Sequence, residues 1–120
     1  MEEKELEKRL EKTNTLSNIC TRYMSESLVA QFYFREATKR FLNNEEFSKL
    51  EKSIIKCDEI LYELAQYYYN NREMFIKEGL GIPEEETVEQ RIEAALKGGY
   101  ETSKNFQEIK KIRIELKEIA

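Results

Sequence analysis

Cys20 and Cys57 are the strongest nucleophiles in this 120-residue chain, and neither has the neighbours that nucleophilic chemistry needs. The sequence contains no histidine, so a Cys/His couple cannot form, and acid or base work near neutral pH would fall to perturbed Glu, Lys, Tyr or Cys. The two cysteines lack CxxC spacing and nothing completes a zinc set. Di-metal centres inside helical bundles use Glu-x-x-His pairs, which are missing; Glu59 and Glu63, four apart, flank an apolar seam and read as solvated. KGGYETSK (residues 97–104) has glycines followed by Ser and Lys but not the GxxxxGK spacing that cradles phosphate. The expectation is a protein that is not an enzyme, with no cofactor and no metal, whose cysteines are buried, reduced thiols.

Composition fixes the elements that hold these residues. Of the 24 acids only Asp58 is not Glu, and the chain has four Gly and one Pro. Good helix formers dominate and breakers are scarce, so nearly all of the chain is expected to be helical. The clearest periodicity runs through Phe47, Leu50, Ile54, Cys57, Leu61, Leu64, Tyr68, Asn71 and Phe75, a heptad seam broken only by Asn71. Asn43 or Asn44 is placed to cap this helix, with Glu46 closing a capping box on Asn43, and Gly79 is the expected stop. Upstream, a wide stripe from Leu16 through Ile19, Tyr23, Met24, Leu28, Phe34 and Ala37 to Leu42 predicts a first helix, weakened near Asn14 by poor helix formers. Downstream, Pro83 and Glu84 to Glu86 suit a helix start, and Val88, Ile92, Ala95, Leu96, Phe106, Ile109, Ile112, Leu116 and Ile119 form the apolar face of a third helix. Gly98 and Gly99 interrupt it.

Short connections between long helices favour antiparallel neighbours. The predicted fold is all-α: one domain over residues 1–120, an elongated antiparallel three-helix bundle with coiled-coil-like packing, or four helices if the chain breaks at Gly98 and Gly99. Folding the first two helices about Asn43 and Asn44 pairs residues whose numbers sum to roughly 88 and places the cysteines ~16 Å apart in height, too far for a disulfide. Residues 1–12 then overhang the hairpin as an arm with Leu6 and Leu10 on one face.

Two sites are candidates. The first is partner-binding: Leu6 and Leu10 of the arm, and a belt in which Tyr67 and Tyr69 flank the seam residue Tyr68 beside Arg72. The second is a polar layer at mid-bundle, Arg22, Glu26, Tyr62, Gln66, Gly99 and Tyr100, where glycine either makes room for packing or forms a notch for a small ligand. A net charge of −4 argues against broad nucleic-acid binding, and the basic residues Lys104, Lys110, Lys111, Arg113 and Lys117 suit the negative end of a helix dipole. No apolar run approaches a membrane span, and MEEKELEKRL lacks the apolar core of a signal peptide, so a cytoplasmic location is expected. The leading reading is a non-enzymatic helical interaction module, a regulator, inhibitor or small assembly subunit, that binds a protein partner or itself. The alternative is a bundle that binds a metabolite or nucleotide. Adaptors, chaperones and phage or mobile-element proteins share this general type, and no family resemblance is specific enough to name.

Overall fold

The computed structural model describes residues 2–73 and 88–119. Three helices account for almost all of them: α1 (Glu3–Lys39), α2 (Asn44–Asn70) and α3 (Val88–Ile119). The chain is an all-α three-helix bundle measuring 68 × 25 × 22 Å. α2 is the central element, packed along both α1 and α3, which touch each other little.

Local chemistry explains the sharp turn between α1 and α2. Asn43 accepts a hydrogen bond from the Glu46 backbone N–H at 2.9 Å, and the Glu46 carboxylate accepts one from the Asn43 N–H at 3.1 Å, so each backbone donor is satisfied by the other residue's side-chain oxygen. Glu46 also pairs with Arg40, which reaches back to Glu36 at 3.3 Å. These pairs lower the Glu46 pKa to about 2, the Arg40 hydrogen bond being the main cause.

Neither of two candidate breaks occurs. α1 runs unbroken through Asn14, where Thr15 turns its hydroxyl onto the Glu11 carbonyl at 3.0 Å instead of opposing the helix. α3 also passes through Gly98 and Gly99 without ending, so the four-helix alternative does not hold. The reason is packing: a Cβ at Gly99 would overlap the Leu61 side chain, and this close approach of α3 to α2 offsets the low helix propensity of glycine. Gly98 has open space around it.

α2 ends at Asn70, ahead of a further helical stretch at Arg72 and Glu73. Its C-cap is Asn71, the polar residue of the seam, whose N–H bonds the Tyr68 carbonyl while its side chain donates to the Tyr67 carbonyl at 2.8 Å. The expected stop at Gly79, the seam residue Phe75 and the start at Pro83 lie outside the described residues.

Two apolar centres line the axis. Near the free end, Leu16, Ile19, Ile60, Leu61, Leu64, Tyr68 and Ile92 pack together. Near the turn, Ala30, Leu42, Leu50, Ile54 and Phe106 do so, with the Phe47 and Phe106 rings stacked 5.3 Å apart. The buried line of α3 is Ile92, Gly99, Phe106 and Arg113, each seven residues from the last. This corrects the predicted apolar face, because Ile112 and Leu116 are half exposed while Arg113 is buried between them. Helix α1 ends at Lys39, before Leu42, and cross-helix pairing shifts with it: Tyr67 meets Lys12, where a sum of 88 would bring Thr21.

Candidate functional site

Nine residues of α1 precede Lys12, the residue level with the end of α2, and this projecting segment carries Leu6 and Leu10, 52% and 63% exposed. Because α1 is one continuous helix, their direction can be followed along it. At 100° per residue, Met24 and Leu28 fall within about 40° of Leu6 and Leu10, and Phe32 lies a further ~40° round. Met24, Leu28 and Phe32 are each more than half exposed. Between the two apolar patches the same face carries Ser17 and Thr21, both exposed. One side of α1 packs on α2, and the neighbouring side presents five large apolar residues to solvent.

The three tyrosines divide as helical geometry requires. Tyr68 is buried in the free-end core. Tyr67 is half-buried toward α1, its hydroxyl donating to the Lys12 carbonyl at 3.2 Å and fastening the base of the arm. Tyr69 stays 41% exposed, its ring edge-on to Tyr68 at 5.3 Å. Arg72 reaches across to Glu89 at the start of α3, at 2.8 and 2.9 Å from the two carboxylate oxygens. Thus Tyr69 is the member of the belt most open to a partner, whereas Tyr67 and Arg72 hold helices together.

The residues predicted for the mid-bundle layer separate into different places. Arg22 and Glu26 line a groove between α1 and α2, and each is paired, Arg22 with Glu63 at 2.6 Å and Glu26 with Lys56 at 3.7 Å. Gly99 faces Leu61. It lines a separate cleft of about 290 Å³ between α1 and α3, floored by Cys57 of α2 and walled by Tyr23, Gln31, Thr102 and Ser103. Tyr62, Gln66 and Tyr100 are exposed and line neither space.

Sequence reasoning singled out neither the cleft nor its polar groups. Ser103 donates to the Asp58 carboxylate at 2.6 and 2.8 Å, anchoring α3 on α2. Burial raises the Cys57 pKa to about 11, with Glu26 and Asp58 adding to the effect, and burial likewise raises Tyr23 and Cys20. Both cysteines are free thiols and both stay protonated at neutral pH, the opposite of an activated nucleophile. Among the described residues no three His, Cys, Asp or Glu side chains converge as a metal-ion set, and no helix is long and apolar enough to cross a membrane. Comparison of the chain with family models, curated proteins and solved structures gives no match.

Proposed function

We propose that this chain is a non-enzymatic interaction module that binds a protein, either a partner or a second copy of itself, through the outward face of α1. The carrying observation is the alignment of Leu6 and Leu10 with Met24, Leu28 and Phe32 on one continuous helix, all five more than half exposed. An amphipathic helix laid along this face would bury two apolar patches separated by small polar residues, the helix-in-groove mode of recognition. Tyr69 adds an aromatic contact at the free end of the bundle. A role as regulator, inhibitor or small assembly subunit, in the cytoplasm, fits such a module.

The test compares the wild type with an L6D/L10D variant by light scattering over a concentration series, and by capture from the native host. A wild-type oligomer that the variant dissolves assigns the face to self-association. A monomer whose captured protein is lost in the variant assigns it to a partner. If oligomeric state and capture are both unchanged, the arm is not the interface and the proposal fails.

A second reading, small-ligand binding, rests on the cleft above Cys57, whose volume of about 290 Å³ lies near the lower end of ligand pockets. A metabolite or nucleotide seated there would raise the melting temperature by mass action. Gln31→Ala would remove the shift, and the absence of any shift across a panel of such compounds would end this reading.

A further inference from the structure

Arg113 is 7% exposed and has no carboxylate partner among the described residues. Its guanidinium lies between two aromatic faces, 4.3 Å from the Phe41 ring centre and 4.5 Å from that of Phe47. One of its donors reaches the Asn44 side-chain oxygen at 3.1 Å, and the Lys117 ammonium reaches the same oxygen at 3.0 Å. Two cations therefore converge on one neutral amide. Three acids toward this end of the bundle are engaged elsewhere: Glu36 and Glu46 with Arg40, and Glu51 with Lys110 at 2.7 Å.

A buried charge is costly unless it is paired, and a guanidinium carries five donors in a planar fork suited to carboxylate or phosphate oxygens. Stacking on two rings offsets part of the desolvation of Arg113 but supplies no negative charge. Beside this pair of cations runs an apolar groove of about 170 Å³, whose walls include Phe41, Ile109, Ile112 and Leu116. Phe41, Ile112 and Leu116 are each at least half exposed.

We propose that this turn-end groove binds a small amphiphilic anion, with a carboxylate or phosphate-ester head at Arg113 and Lys117 and a short apolar body along Phe41, Ile112 and Leu116. The head supplies the charge that Asn44 cannot, and the body covers apolar surface that α1 and α3 leave open. This site is at the opposite end of the bundle from the Leu6 and Leu10 arm and does not depend on the interaction reading above.

The test is calorimetric titration of the full chain with octanoate, octyl phosphate, octanol and acetate. At least one of the two amphiphilic anions should bind one-to-one and at least roughly tenfold more tightly than octanol, which lacks the charge, and acetate, which lacks the body. Comparing octanoate with octyl phosphate identifies the preferred head. Arg113→Met, which preserves length and apolar bulk, should abolish this preference, and the exposed Lys117→Ala should weaken anion binding by roughly threefold. L6D/L10D should leave it unchanged. Octanol binding as tightly as both anions, or neither anion binding, overturns the proposal. So does an undiminished affinity in a folded Arg113→Met variant. If that variant loses its helical circular dichroism, Lys117→Ala and Ile112→Glu decide, and unchanged affinity in both overturns the site.

Discussion

At the turn, between Glu36 and Leu50, backbone and side chains restrain one another: Asn43 and Glu46 close a reciprocal cap, Arg40 ties Glu46 to Glu36, and Leu50 is fully buried beneath them. At the free end the same kinds of residue have little to hold. Glu2 offers α1 no side-chain cap, Leu6 and Leu10 face water, and the Tyr67 hydroxyl bonds the Lys12 carbonyl at the base of the arm. The contrast teaches that stability and recognition are assigned to different ends of α1. The turn end specifies the fold, and the projecting end keeps apolar surface that the fold does not use.

The largest expected effect that would break this comparison is at Phe106. Phe106→Ala, at 1% exposure and stacked on Phe47, should cost about 3–5 kcal/mol in urea unfolding, whereas Leu10→Ala should stay within about 0.5 kcal/mol of wild type. Comparable losses at the two positions would mean that the arm belongs to the core. The paired glycines sharpen the picture next. Gly98→Ala should stabilise by about 1 kcal/mol through helix propensity, while Gly99→Ala should destabilise, because the ~1–3 kcal/mol of overpacking against buried Leu61 exceeds that gain. Equal melting temperatures for the two variants would show that α3 does not seat on α2 at Gly99. Removing the cap with Asn43→Ala should cost about 1 kcal/mol, measured by chemical denaturation.

The smallest effect is a pH dependence at the turn. Glu46 has its folded pKa lowered from 4.5 to about 2, so its contribution is fully present above pH 4.5 and fades as pH falls toward 2. The Arg40–Glu46 pair is solvent-accessible and screened, so the change should be slight and should shrink further in high salt. Glu46→Gln should flatten that part of the stability profile. An unaltered acid limb in this variant would remove Glu46 from the account.

What was legible in the sequence was local. The capping box spans three residues and needs no tertiary knowledge, and the seam that buries Tyr68 and Leu61 follows from spacing alone. Asn71 was visible as the flaw in that seam, and its side-chain amide caps α2 by taking the Tyr67 carbonyl. Gly98 and Gly99 could be read either as an interruption or as room for packing, and choosing between the two needs Leu61, which comes from another helix. Arg113 was assigned to the helix dipole because its type predicts exposure. Its burial requires Phe41 and Phe47, both more than sixty residues away in sequence, although the seven-residue spacing from Ile92 through Gly99 and Phe106 pointed inward. The mid-bundle layer was placed by height along the axis, and height does not say which side of α2 a residue occupies.

The unbroken course of α1 has a mechanical consequence. Its 37 residues form a rod about 55 Å long, with the arm as its tip and the Arg40–Glu46 corner at its base. With no hinge between Leu6 and Lys39, a load applied to the tip is borne by the whole helix. A molecule gripping Leu6 and Leu10 would therefore hold the bundle by a stiff handle, its orientation fixed relative to the grooves at the other end.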